Sequence, residues 1–352
     1  MVKAFEIGGR PVGEGAPCFF IAEAGVNHNG ELSTAFDLID GAVAATADAV
    51  KFQTFSAARI ALANAPKAKY QKDAEEKHES QLDMLRRLEL SKQDHERLIE
   101  HCRNRRMMFL SSPFDEQSAD LLEELDVPAF KIPSGELTNK SFLAHVAHKG
   151  RPMIVSTGMA TMTEVETAVK TITDNGDPPF ALLHCVSAYP ASPADCNLKA
   201  MDTLRAAFGV PVGWSDHTKG VEVALAAVAR GADIVEKHFT LNRTLPGPDH
   251  RASMEVPEMV VLMVALRVVE SAIGDGIKAP RATEREVASV ARKSLVSAQN
   301  LKAGEILTAE QVTTRRPGTG IPADRLDDFL GCRLSVDVPE GCLLDEAMFE
   351  EG

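Results

Sequence analysis

The 352-residue chain is 44% hydrophobic and carries 38 Lys and Arg against 51 Asp and Glu, a net charge of −13. That length asks for one large domain and one small one, and so acidic a chain is a poor general partner for nucleic acid or anionic membrane. An anionic substrate would need a local cluster of Lys, Arg and backbone N–H groups. The N-terminal MVKAFEIGGRPVGEG lacks the apolar core of a signal peptide. No run of ~20 apolar residues occurs, so no membrane-spanning helix is expected. The six cysteines (Cys18, Cys102, Cys185, Cys196, Cys332, Cys342) form no C-x-x-C pair and read as reduced, mostly buried thiols of a cytoplasmic protein.

In chain order, eight short apolar runs alternate with amphipathic stretches. They are CFFIAEAG (18–25), ADAVKFQTF (47–55), MMFLSSPF (107–114), AFKIPSG (129–135), PMIVSTGM (152–159), FALLHCVSAYP (180–190), VPVGWSDHT (210–218) and ADIVEKHFT (232–240). LSTAFDLIDGAVAA (32–45) and GVEVALAAVARG (220–231) are examples of the helical patterns between them. Eight such units predict a (β/α)₈ TIM barrel. A doubly wound open sheet would show a Gly-rich first turn, and no G-x-G-x-x-G follows the first run. The segment 57–90, which includes YQKDAEEKHESQLDMLRRLELS, is longer than an ordinary strand-to-helix connection and reads as a helical insertion over the barrel mouth.

The expected boundaries are a barrel over 1–275, a linker over 276–292 with a helical middle, and a small, mostly β domain over 293–352. Within the tail, LKAGEILTAE (301–310) and VPEGCLLDEA (338–347) form a degenerate internal pair. A module of this size is expected to lean on another surface for stability.

Chemically capable residues gather at the ends of the predicted strands: Glu23, Asn27 and His28 at the first, Lys51 and Gln53 at the second, Ser111 and Ser112 at the third. Lys131, Ser134 and Glu136 follow at the fourth, Ser156 and Thr157 at the fifth, and Ser187 and Tyr189 at the sixth. Ser215, Asp216 and His217 close the seventh, and Glu236 and His238 the eighth. Barrel enzymes build their active sites at that rim. Strand alternation puts Ser215 with His217, and Glu236 with His238, on one face. Two histidines and a carboxylate there suit Mn²⁺, Zn²⁺ or Fe²⁺ better than Ca²⁺. Lys51 and Lys131 each interrupt an apolar run, which is costly unless the ammonium is paired or faces a ligand. Surrounded by Ser134, Ser156 and Ser215, they are suited to an anion such as phosphate, although a serine there is more often a cap or turn residue. Glu23, Glu136, Asp216 and Asp249 are candidates for acid–base work or hydroxyl recognition. His78, His95, His101, His145 and His148 fall in helical stretches and are expected to be solvated.

The motifs IAEAGVNHNG (21–30), VKFQ (50–53), KIPSGE (131–136), STGMA (156–160), HCVSAYP (184–190), WSDHT (214–218), EKHFT (236–240) and GPDH (247–250) together resemble the sialic acid synthases. RRPGTGIP (315–322) resembles the antifreeze-like C-terminal domain of that family. The resemblance implies condensation of phosphoenolpyruvate with an open-chain N-acetylated amino sugar. It implies a phosphate seat of Lys131, Ser134, Ser156 and Ser215, with Lys51 near the carboxylate or phosphate. Ser187 stands where some relatives carry Asn for a contact of the same kind. A divalent metal on His217 and His238, Mn²⁺ first with Mg²⁺ or Co²⁺ as alternatives, would polarise the aldehyde. Attack by C3, addition of water at C2 and C–O cleavage would then release phosphate. Glu23, Gln53, Tyr189 and Asp249 would orient the sugar, Glu236 would join the substrate-binding set, and Glu136 would handle protons near C2. Arg316 would reach the N-acetyl group in the barrel of a second subunit, which implies a domain-swapped homodimer. APKAKYQ (65–71) resembles a variant found in legionaminic as well as sialic acid synthases, which leaves N-acetylmannosamine and a 6-deoxy diacetamido hexose both open.

Two other readings remain. A phosphoenolpyruvate-dependent synthase acting on phosphorylated sugars would lack the antifreeze-like tail. An ice- or glycan-binding protein on an inert barrel would need an exported address.

Overall fold

The computed structural model describes residues 4–13, 15–67 and 80–350. The chain forms two compact units, one ending at Gly274 and one beginning at Asp275.

The first unit opens with an antiparallel hairpin of β1 (Phe5–Ile7) and β2 (Arg10–Val12). Eight parallel strands follow among the described residues: β3 (Phe19–Gly25), β4 (Ala49–Thr54), β5 (Met108–Pro113), β6 (Phe130–Ile132), β7 (Met153–Ser156), β8 (Phe180–Cys185), β9 (Val212–Asp216) and β10 (Ile234–Thr240). Their ladder order is β5-β4-β3-β10-β9-β8-β7-β6, and the short β11 (Met254–Glu255) pairs with the end of β10. The first and last barrel strands meet at β3 and β10, with His238 opposite Glu23. β5 and β6 lie side by side without a ladder, so the cylinder is nearly closed. This is the TIM barrel expected from the eight runs.

Both faces of each strand are covered, so the strands read as nearly continuous apolar runs. Ile21, Ala49, Leu110, Ile154, Leu183 and Ile234 fill the lumen and pack with Ile7 and Val12 of the hairpin. Phe20, Val50, Phe109, Val155, Val212 and Val235 point outward to the helices. One end of the barrel is thus plugged with hydrocarbon and the other carries the polar strand ends.

Among the described residues, the α-helices of this unit are α1 (Leu32–Ala44), α2 (Ala57–Ile60), α3 (Gln81–Leu88), α4 (Lys92–Arg105), α5 (Glu116–Glu124), α6 (Lys140–Ala147), α7 (Met162–Asp174), α8 (Ala200–Phe208), α9 (Glu222–Ala229) and α10 (Val256–Ile273). Their starts are set by local side chains: Ser91 and Asp94 form a capping box on α4, Thr161 and Glu164 one on α7, and Asp115 caps α5. The insertion between β4 and α4 contains α2 and α3, whereas residues 68–79, with His78 and most of the charged stretch read as helical, lie outside the described residues. His95 is not solvated. It shares the inward stripe of α4 with Leu98 and Cys102, at helical spacing, and is fully buried. Its Nε2 meets Thr54 Oγ1 at 2.7 Å and its Nδ1 meets the Ser91 carbonyl at 2.8 Å.

In the second unit, the stretch expected as a linker carries α11 (Ala282–Ala291), a helix without a buried residue. Beyond it, β12 (Ser294–Ser297) and β13 (Val312–Arg315) pair antiparallel, and a single helical turn, α12 (Leu326–Phe329), follows. Leu295, Leu301, Leu307, Leu334, Val338 and Leu344 belong to its small core. The two similar phrases are joined at their first residues by reciprocal hydrogen bonds between Leu301 and Val338. The shift that carries Leu301 onto Val338 carries the bridge Val296–Leu343 onto Arg333–Ile306, so the repeat is an approximate twofold in three dimensions. All six cysteines are free. Among the described residues, no helix is long and apolar enough to cross a membrane.

Candidate active site

Two residues beyond each apolar lumen position lies a cavity-lining one. Ile21 is followed by Glu23, Ala49 by Lys51, Leu110 by Ser112, Ala129 by Lys131, Ile154 by Ser156, Leu183 by Cys185 and Ile234 by Glu236. Strand alternation therefore stacks a polar layer directly on the hydrocarbon plug. It forms the floor of a cavity of about 500 Å³, which also takes in Gln53, Ser134, Glu136, Ser187, Tyr189, Ser215, His217, His238 and Asp249.

Two ammonium groups and two carboxylates occupy the centre of that layer, all buried. Lys51 Nζ is 2.5 Å from Glu23 Oε2 and 3.7 Å from Glu236 Oε2, and it donates to Ser112 Oγ at 3.0 Å. Lys131 Nζ is 3.4 Å from Glu236 Oε1 and donates to Ser156 Oγ at 2.8 Å. Ser215 Oγ donates to Glu236 Oε1 at 3.1 Å. Burial would raise Glu236, but Lys131 and Lys51 outweigh it and hold the carboxyl well below its usual range. Glu23 goes the other way: burial raises it, with Glu236 adding to the effect and Lys51 opposing. Lys51 is raised, because its two carboxylates overcome burial, whereas burial and the nearby Lys51 charge lower Lys131.

On one side of this floor, Ser134 Oγ accepts from the Gly158 N–H at 3.0 Å and lies 3.6 Å from Cys185 Sγ. Gly158 is packed so closely that a Cβ there would come 2.3 Å from Ser187 Oγ and 2.7 Å from Ser134 Oγ. Hydroxyls, an ammonium group and backbone N–H groups in this confined corner are the chemistry of an oxyanion seat.

On the other side stand the two histidines, with ring centroids 5.4 Å apart. The Tyr189 ring lies 4.1 Å from His217 and 5.7 Å from His238. His217 Nδ1 donates to the Val186 carbonyl at 2.7 Å, which leaves Nε2 free to act. His238 Nδ1 is buried without a hydrogen-bond partner, 4.0 Å from Asp249 Oδ2. Burial, then the His217 and Lys51 charges, hold His238 well below its ordinary value, so its imidazole is neutral. Burial likewise raises Asp249 to about 6. A neutral imidazole with an orphaned nitrogen beside a second one oriented by a carbonyl fits a cation that takes its remaining ligands from water and substrate. Glu236, read as the carboxylate partner of the histidines, is instead engaged by the lysines. Among the described residues, no group of three or more His, Cys, Asp and Glu is arranged to hold a metal ion.

Of the remaining acids, Glu136 sits at the mouth, where burial raises it and Asn139 donates to its Oε2 at 2.8 Å. Asp216 is not a rim acid of the cavity. Its neighbours Ser215 and His217 face inward, so alternation turns Asp216 out to Lys237 Nζ at 2.7 Å and to the Thr218 hydroxyl at 2.7 Å. Asn27 donates to the Phe239 carbonyl and Ser253 Oγ, His184 meets the Cys196 carbonyl, and His250 meets Thr240 Oγ1. These three hold loops together. Arg316 belongs to the second unit, exposed immediately after β13. Residue-by-residue reading missed Cys185 and Lys237, although the period-two pattern of β8 and β10 marks one as facing inward and the other outward. It also missed an apolar part of the cavity lining, which no single segment carries.

Residues 38–278 match the NeuB family and residues 292–350 the SAF domain. The chain is 47% identical to the N,N'-diacetyllegionaminic acid synthase of Campylobacter jejuni, over 93% of this chain and 98% of that one. Identity is 44% to the protein of the same name from Legionella pneumophila, over 95% of each chain. The structure is similar to that of the N-acetylneuraminic acid (sialic acid) synthetase from Leptospira borgpetersenii solved with citrate, with a TM-score of 0.73 and 36% identity over 82% of this chain and 95% of that one.

Proposed function

The chain belongs to the NeuB family, and we propose that it condenses phosphoenolpyruvate with the open-chain aldehyde of an N-acetylated amino sugar, making a sialic-type acid and inorganic phosphate. The observation that carries this reading is the division of one cavity floor into an anion corner around Lys131, Ser134 and Ser156 and a paired-histidine side at His217 and His238.

In this reading Lys131, Ser134, Ser156 and Ser215 bind the phosphate, with Ser187 beside them, and Lys51 pairs with the carboxylate. Glu23, Gln53, Tyr189, Glu236 and Asp249 orient the sugar over the histidines. C3 of phosphoenolpyruvate bonds to the aldehyde carbon, and the aldehyde oxygen ends as a protonated hydroxyl. Water adds its hydroxide to C2, Glu136 accepts the proton, and the C2–O bond to phosphate breaks as the ketone forms. His217 and His238 would hold a divalent cation, Mn²⁺ before Mg²⁺ or Co²⁺, which supplies Lewis-acid polarisation of a carbonyl oxygen.

The working form in this proposal is a cytoplasmic, domain-swapped homodimer in which Arg316 of one subunit reaches the N-acetyl group bound in the other. An apolar strip on α10, where Val260, Val264 and Val268 are each more than one third exposed, supports a second copy as partner. The reaction is tested with phosphoenolpyruvate labelled at its bridging oxygen. Acceptor-dependent release should carry the label into phosphate, and label retained in the sugar would refute C–O cleavage.

A further inference from the structure

We infer that the chain holds a second oxyanion site, fitted to a phosphate-type ion, in a small basic pocket between the loops that follow β9 and β10. It is separate from the barrel cavity, with which it shares no lining residue, and it does not depend on the proposed condensation.

The pocket encloses about 190 Å³, room for a tetrahedral oxyanion with ordered water. Lys219 comes from the loop after β9, Arg243 and Arg251 from the segment after β10, and Lys237 from β10 itself. Among the described lining residues, Glu258 in the first turn of α10 is the one carboxylate. Four cationic side chains around one small space are out of keeping with a chain in which acids outnumber bases by 51 to 38. They repel one another unless an anion joins them. Position adds to composition. (β/α)₈ barrels frequently seat phosphate between the loops that follow their seventh and eighth strands. Here those strands are β9 and β10, whereas the anion corner of the barrel cavity lies at the fourth and fifth, β6 and β7.

Donors remain for such an ion. Glu236 and His238 face the lumen, so alternation turns Lys237 outward into this pocket. Lys237 is 3% exposed and donates to Asp216 Oδ2 and to the Thr218 carbonyl, each at 2.7 Å. An ammonium group carries three N–H donors, so a buried cation keeps one that neither partner takes. Arg243 pairs with Glu258 through one nitrogen of a five-donor guanidinium. Among the described residues, the Lys219 side chain and the Lys219 and Gly220 N–H groups have no hydrogen-bond partner. The Thr218 and Ser253 hydroxyls are committed to Asp216 and to the Asp249 carbonyl. Glu222 and Glu255 accept from the Val221 and Arg243 N–H groups and lie outside the lining. What faces the space is therefore ammonium, guanidinium and backbone N–H, the donor set that binds phosphate.

Equilibrium dialysis with radiolabelled inorganic phosphate tests the site, at fixed ionic strength and with saturating phosphoenolpyruvate to occupy the barrel cavity. The unaltered protein should still bind phosphate. Lys219→Glu and Arg243→Gln should each weaken that binding at least about tenfold, the loss of a charge-assisted contact, and Lys219→Arg should keep it. Lys219 is exposed and unpartnered among the described residues, so its replacement leaves the fold intact. Lys199→Glu, at an exposed lysine outside the pocket, changes the net charge by the same amount and should bind phosphate as the unaltered protein does. No phosphate bound alongside phosphoenolpyruvate would overturn the inference. So would binding that survives both Lys219→Glu and Arg243→Gln, or that Lys199→Glu weakens as much as they do.

Discussion

Nζ of Lys51 stands 2.5 Å from Oε2 of Glu23, with both side chains buried in the barrel. With Lys131 and Glu236 ionised beside them, the four groups carry no net charge, so a multiply charged anion meets a floor whose positive charge is already balanced. Burial and Glu236 already raise Glu23, and an added anion raises it further. Phosphoenolpyruvate binding near pH 8 should therefore take up as much as about one proton and weaken as pH rises. Calorimetry in two buffers of different ionisation enthalpy reads this directly, and Glu23→Gln should remove the uptake. A binding enthalpy identical in both buffers would refute it.

Gly158 should be irreplaceable for a steric reason. A methyl group there displaces the Ser134 and Ser187 hydroxyls, which lie within 2.7 Å of its Cβ position. Gly158→Ala should fold normally and raise KM for phosphoenolpyruvate about tenfold, the loss of a charge-assisted contact, while KM for the sugar changes little. An unchanged KM for phosphoenolpyruvate would put the anion corner elsewhere.

His238→Ala and His217→Ala should each lower bound Mn²⁺ after dialysis by at least about tenfold, since each removes one of two protein ligands. Retention of full metal content by both variants, measured by elemental analysis, would remove the histidine site.

The buried Asp216–Lys237 pair, 2.7 Å apart, ties β9 to β10 just behind those histidines. Asp216→Leu alone or Lys237→Met alone should destabilise the protein by about 3–5 kcal/mol, because each leaves an uncompensated charge, whereas the double substitution should recover much of that loss. Urea unfolding of the three variants decides it; additive single effects would show that the pair is not coupled.

His28 is buried, accepts from the Gly30 N–H through Nδ1 at 3.0 Å, and is lowered from 6.5 to about 4, mainly by burial. The unfolded chain binds this proton at higher pH than the folded one. Stability from the neutral ring is thus complete above about pH 6.5 and lost as pH falls towards 4, by about 3 kcal/mol at most. His250, also lowered to about 4 by burial, acts in the same sense. His28→Asn should flatten, without abolishing, the fall of Tm between pH 7 and pH 5. An unaltered slope would mean that His28 is charged in the native state.

The barrel and the inward-facing lysines were legible because a charge inside an apolar run has few explanations. Lys237 interrupts its run just as Lys51 does, yet it points the other way, since Glu236 and His238 on either side face the lumen. Asp216 was misread for the same reason, and a strict period-two count along WSDHT separates it from its neighbours. His95 escaped because a helical histidine looks the same in sequence whether its stripe faces core or water. The apolar part of the cavity lining escaped for a different reason: Val26, Phe55, Ile60 and Leu85 come from separate segments, and only the closed ring brings them together.

The pairing of β3 with β10 sets Glu23 of the first barrel strand directly against His238 of the last. More than two hundred residues separate these neighbours, so the ribosome finishes the last barrel strand long after the first. No shorter stretch of chain holds both halves of the floor, and a partly made barrel has nothing resembling a weaker version of the site. Turnover in this protein is consequently an all-or-none report that the seam has shut, and refolding followed by activity should lag refolding followed by helix content.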